Sequence, residues 1–93
     1  MDITRISQFR AHEGQGDALR DHFRPFLPAI AATEGCRSCQ LLQDEEDPTR
    51  IVIIETWESI EAHKESLKRI PPSAMEDTMK LLAERPAGSY YHS

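Results

Sequence analysis

The chain has 93 residues, of which 29% are charged, and its 11 basic and 16 acidic side chains give a formal charge of −5. A chain of this size buries only about 60–65% of the surface its unfolded form exposes, so its core is thin and association would help it. The acidic balance argues against nucleic acid or an anionic membrane as partner, because both need clustered Lys and Arg. No apolar run, Ile51 to Ile54 included, approaches the roughly 18 residues of a membrane helix.

In chain order, Met1 to Arg5 shows no signal-peptide pattern and leads into a strand over residues 2–10, so a cytoplasmic location is expected. Glu13 to Gly16 reads as a loop with Asp17 as N-cap of the first helix. Leu19, Phe23, Phe26 and Ile30 recur at steps of four, three and four, which gives that helix an apolar stripe as far as about Thr33. Pro25 and Pro28 each remove a backbone donor inside it, so a kink or break is expected. Gly35 ends it. Cys36 to Gln43 reads as a second strand, Asp44 to Thr49 as a charged hairpin loop, and Arg50 to Trp57 as a third strand. Ser59 can cap a helix from Ile60 to about Arg69, which Pro71-Pro72 stops. Ser73 to Glu76 has a capping-box pattern that would start another helix through about Glu84. Pro86 to Gly88 reads as a turn before a short final strand, Ser89 to His92.

Strand, helix, strand, strand, helix pair, strand is the split βαβ order of an α+β, ferredoxin-like fold with an antiparallel sheet, here one domain over residues 1–93. Along the third strand Ile51, Ile53, Glu55 and Trp57 point one way, and Val52, Ile54 and Thr56 the other. Both faces are apolar there, and the helices of so short a chain cover only one. The cheapest cover for the other is a second copy, a homodimer through the open sheet face that encloses a chamber.

Several side chains can carry chemistry. His63 shares an apolar helical stripe with Ile60, Leu67 and Ile70 and reads as a general base or as a packed core histidine. His22 flanks the first helix's stripe, beside a pocket or simply exposed. Glu55 shares a face with Trp57, as a base tuned by burial or as a salt-bridge partner of Arg5 or Arg50. Phe23, Phe26, Met75 and Met79 either line an aromatic-binding cavity or fill the core, and the Trp57 indole offers a flat wall with one N–H donor. No metal site is expected, since no histidine has an i, i+4 partner. Cys36 and Cys39 stand at C-x-x-C spacing. Residues three apart on a strand face opposite ways, and no second cysteine pair exists, so they read as two unconnected structural thiols.

Gly35-Cys36, the acidic loop Asp44 to Thr49, and Glu55-Thr56-Trp57-Glu58-Ser59 leading into Glu61-Ala62-His63 together make the chain resemble the antibiotic biosynthesis monooxygenase family. Gly14 and Leu19 also fall where members carry Gly and Leu. The resemblance implies a dimeric α/β barrel and a cofactor-independent oxidation of a small aromatic, a quinol or phenolic polycycle, by O2. Trp57 matches the family's tryptophan and would orient the ring; from the residues' own placement, His63 or His22 would take a proton and Phe23, Phe26, Glu55 and Met79 would surround the substrate. Ser66 stands where many members have a histidine, and the chain contains no asparagine, which several of these oxygenases use. A non-catalytic binding or stress-related dimer of the same fold is therefore the second reading, and an isomerase or lyase a third.

Overall fold

The two-sided apolar strand sets the architecture. A computed structural model describes residues 1–93 and contains β1 (Ile3–Arg10), α1 (Gly16–Phe23), a 3-10 turn (Arg24–Phe26), α2 (Leu27–Ala31), β2 (Cys36–Gln43), β3 (Arg50–Trp57), α3 (Ile60–Leu67), α4 (Pro72–Leu81) and β4 (Ala87–Tyr91). The four strands form one antiparallel sheet in the order β2-β3-β1-β4, with β3 and β1 at its centre. This is the expected α+β, ferredoxin-like arrangement. No helix is long and apolar enough to cross a membrane.

Local chemistry explains where the elements begin and end. The first helix breaks at its prolines: α1 stops at Phe23, Arg24–Phe26 tightens into the 3-10 turn, and α2 restarts with Pro28 in its first turn. There a missing N–H costs nothing. Gly35, at φ 89°, then turns the chain into β2, a conformation only glycine adopts cheaply. Ser59 caps α3 by accepting from the Ala62 amide at 3.1 Å.

Several boundaries differ from the sequence reading; α3 and α4 end at Leu67 and Leu81, short of Arg69 and Glu84. α1 starts at Gly16 with Gln15 before it, so Asp17 lies in the first turn and caps nothing. Any Cβ at Gly16 would collide with the Pro48 carbonyl, so the absence of a side chain lets the helix begin against that loop. α4 starts at Pro72, not at a Ser73 box, because proline already holds the φ of a first helical residue. β4 takes in Ala87 and Gly88, which pair with Gln8 and Ser7 on β1.

Register divides the sheet into two faces. Ile3, Arg5, Ser7 and Phe9 lie opposite Trp57, Glu55, Ile53 and Ile51, and this face lies under the helices. Leu19, Ile51 and Trp57 are fully buried, and Ala11, Leu19, Phe23, Ile51, Ile53 and Leu82 form the core cluster. Only 10 of 93 residues are buried, so that core is thin. On the other face Ile6 pairs with Ile54 and Leu42 with Val52, and nothing in the chain covers them. Leu42 stays 44% and Tyr91 50% exposed. The accessible surface is 6259 Å², whereas size scaling gives about 5,500 Å² for a monomer of this mass.

Candidate functional site

The main cavity, about 550 Å³, lies inside the chain between the helices and the covered face of the sheet. This space is distinct from the expected chamber between partners, because it opens on the opposite side of the sheet from the bare apolar face. Phe9, Ile53, Phe23, Phe26, Met75 and Met79 supply apolar wall, while Arg5, Glu55 and His63 bring polar atoms to it. A second, smaller depression beside α3 is lined by Glu34, Glu58, Glu65 and other largely polar residues.

Six of the expected site residues meet at this cavity: His63, Glu55, Phe23, Phe26, Met75 and Met79. Phe23 is held by a tilted contact with Phe9 at 4.7 Å between ring centroids. Trp57 is not on the wall. It is fully buried behind, where its indole N–H donates to Glu55 Oε1 at 3.3 Å and its ring meets His63 edge-on at 5.6 Å. His22 is also outside the lining. Its Nε2 pairs with Thr78 Oγ1 at 2.7 Å, tying α1 to a residue of α4 that faces the cavity.

Glu55 makes no salt bridge with either arginine. The imidazole Nε2 of His63 lies 4.0 Å from Glu55 Oε2, beyond hydrogen-bond range. Burial is the largest influence on both groups, raising Glu55 and lowering His63, and the Arg5 charge lowers both. An ion pair would have moved them the other way. Burial wins because desolvation disfavours the charged form of each. His63, only 4% exposed, is therefore a neutral imidazole at pH 7.

Tyr90 and Arg5 were not anticipated as site residues. Tyr90 Oη lies 2.7 Å from His63 Nδ1, so the phenol fixes the imidazole plane from β4. Arg5 sits on β1 directly opposite both Glu55 and Tyr90, and its guanidinium carbon lies 4.7 Å from the Tyr90 ring centre. A side chain at Gly88 would collide with Arg5 Nη2, so this glycine makes room for the guanidinium. Strand parity alone puts Arg5 on the Ile3–Phe9 face. Tyr90 required the pairing of β4 with β1.

The cysteines are free thiols on β2. Cys39, opposite Glu55, is pushed up to about 12, mainly by burial and then by the Glu55 charge, so it is not a nucleophile at neutral pH. No group of three or more His, Cys, Asp or Glu side chains converges in a way that could hold a metal ion.

A family model described as antibiotic biosynthesis monooxygenase matches residues 2–80. No curated protein matches the sequence. A Chloroflexus aurantiacus protein described as an antibiotic biosynthesis monooxygenase has a similar solved structure, with a TM-score of 0.75, 30% identity, and coverage of 100% of this chain and 95% of that one. A Nitrosomonas europaea protein of the same description superposes at a TM-score of 0.87 with 21% identity, over 100% and 98% of the two chains. SnoaB, a cofactor-independent oxygenase from Streptomyces nogalater, gives a TM-score of 0.80 at 17% identity, over 99% and 92%.

Proposed function

The chain belongs to the antibiotic biosynthesis monooxygenase family, and from that premise we propose that it oxidises a small aromatic, a quinol or phenolic polycycle, with O2 and without a cofactor. The observation that carries the reading is the 550 Å³ cavity with a neutral, oriented histidine on its wall. SnoaB, of the same fold, is described as a cofactor-independent oxygenase.

The chemistry needs a base, an orienting wall and a dry space. In the tautomer whose Nδ1–H donates to Tyr90 Oη, His63 has its Nε2 lone pair available to take a proton from the substrate. The resulting electron-rich anion passes one electron to O2. Substrate radical and superoxide then couple to form the C–O bond. The peroxide takes a proton, and its O–O bond breaks with loss of water. At a CH2 group flanked by phenolic rings the balance is CH2 + O2 → C=O + H2O, so no outside reductant is required. Phe23, Phe26 and Met79 hold the ring, and Trp57 acts from behind by fixing Glu55.

A second copy covers the open face in this reading, and the location is cytoplasmic. Support for the dimer comes from the uncovered Ile6, Leu42, Val52 and Ile54 and from the surface in excess of the monomer scaling. A non-catalytic binding protein is the second reading, favoured by the absence of asparagine and by the seclusion of Trp57 from the wall. Oxygen uptake over a panel of quinols and anthrones, without added metal or flavin, separates the two. Turnover that falls by about 10²–10⁴ in His63→Ala, the usual worth of a general base, supports oxygenation. Uptake no faster than the uncatalysed rate, or full turnover in His63→Ala, sinks it.

A further inference from the structure

Arg5 is the one cation on the cavity wall that comes from the sheet, and it has no anion of its own. None of its side-chain nitrogens makes a hydrogen bond or an ion pair within the chain, and its Nε is fully shielded from solvent. Its contact is with the face of the Tyr90 ring, which holds the guanidinium in place without neutralising it. Arg10, Arg20 and Arg37, by contrast, each have a carboxylate within 4.0 Å. A shielded guanidinium N–H with no acceptor costs free energy that a bound acceptor would recover.

We propose that Arg5 is the anchor for an oxyanion on the ligand: the cavity takes a flat apolar body carrying a carboxylate or phenolate, whose charged oxygen docks on the guanidinium while the body lies against Phe23, Phe26 and Met79. The inference rests on this cavity being the ligand site, as in the proposed function, but not on turnover. Gly88 supports it, because the guanidinium lies where a Cβ at that position would be. Glu55 is the one acidic group on the wall. Burial raises its pKa above the ordinary carboxylate value, which lessens the repulsion an incoming anion meets. Arg69, at the exposed rim, adds a second cation on the way in.

Calorimetric titration of the full chain with naphthoate, methyl naphthoate and naphthol tests the assignment. Naphthoate is expected to bind about ten- to a hundredfold more tightly than its uncharged ester, the worth of charge-assisted hydrogen bonds to a shielded guanidinium. Arg5→Met, with its fold checked by circular dichroism, should abolish that preference and leave the ester's affinity unchanged, while Arg5→Lys retains part of it. Gly88→Ala, which displaces the guanidinium without removing it, should weaken naphthoate selectively. Glu55→Gln should leave the preference intact or enlarge it, which an Arg5 serving only to neutralise Glu55 would not do. An Arg5-dependent advantage confined to naphthol identifies a phenolate as the oxyanion. Equal affinity for acid, ester and naphthol, no binding of any of the three, or an Arg5→Met variant that keeps the wild-type preference would each overturn the proposal. Oxygen uptake is not part of the readout, so lost oxygenase activity with Arg5-dependent binding refutes the proposed function alone. Turnover with Arg5-independent binding refutes this inference alone.

Discussion

Replacing Ile54 by lysine separates the two faces of the sheet. Ile54 sits on the central strand β3, opposite Ile6 on one side and Gln40 on the other, and its side chain is partly exposed on the bare face. In an isolated protomer the ammonium stays in water, so folding should lose no more than about 1 kcal/mol of β-preference. In a dimer through this face the cost is larger. Fully burying an isoleucine is worth about 1.5–3 kcal/mol. The part still exposed therefore contributes roughly 0.5 kcal/mol per copy, and two-fold symmetry doubles it. Each lysine also brings a charge whose desolvation costs several kcal/mol without a partner. The sum exceeds about 4 kcal/mol, a weakening of roughly a thousandfold or more. Sedimentation equilibrium across a concentration series measures it: wild type should run as a dimer and Ile54→Lys as a folded monomer at micromolar concentration. Because the cavity lies on the other side of the sheet, the monomeric variant should still bind naphthoate within about threefold of wild type, as expected for sites that share no contacts. An unchanged dimer constant, or a wild-type chain that is monomeric throughout, would refute the reasoning.

Two further predictions follow from the buried titratable groups. His63 is held below its ordinary 6.5, so its basic form persists into mildly acid solution; kcat/KM should fall only as pH drops below 6.5, and a half-maximum at pH 7 or above would remove His63 as the base. The same depressed group contributes stability that is present above pH 6.5 and lost as pH falls through its folded value. Glu55 behaves oppositely: raised above 4.5, it contributes stability that is present below that pH and lost as pH rises through its folded value. Glu55→Gln, which keeps an acceptor for the Trp57 indole, should therefore gain on wild type in urea unfolding as pH climbs from 4.5, and a flat or falling difference would contradict the burial argument.

The strands were readable because each rule that specifies them is local. Alternation in Arg50–Trp57 assigned every side chain of β3 to its face, and Gly35 and the Asp44–Thr49 loop set both ends of β2. The broken first helix was equally plain, since Pro25 and Pro28 cannot donate. The position of the chamber was not readable. It depends on how far α4 stands off the sheet, a distance set jointly by Phe23, Phe26, Met75 and Met79 and by the His22–Thr78 bond across 56 residues. Apolar counting located the bare face, on the other side of the sheet from this cavity. His63, Glu55, Phe23, Phe26 and Met79 still reached one cavity, because helical stripe and strand parity each select the covered side. Trp57 has that same parity, but its place at the end of β3 seals it behind Glu55.

Arg5 is partly exposed, but its shielded Nε–H has no acceptor, and such an unmade hydrogen bond carries a cost in a marginally stable domain. Arg5→Met gives up the contact with Tyr90, worth about 0.5–2 kcal/mol, but removes the unsatisfied Nε–H, worth about 1–3 kcal/mol. The ligand-free variant should therefore melt at or above the wild-type temperature while losing its preference for anions, the exchange of stability for function expected of a binding residue. Saturating naphthoate should reverse the order, raising the melting temperature of wild type more than that of Arg5→Met. A variant that melts more than about 4 °C lower than wild type, a loss near 1 kcal/mol for a domain of this size, would mark Arg5 as part of the scaffold instead.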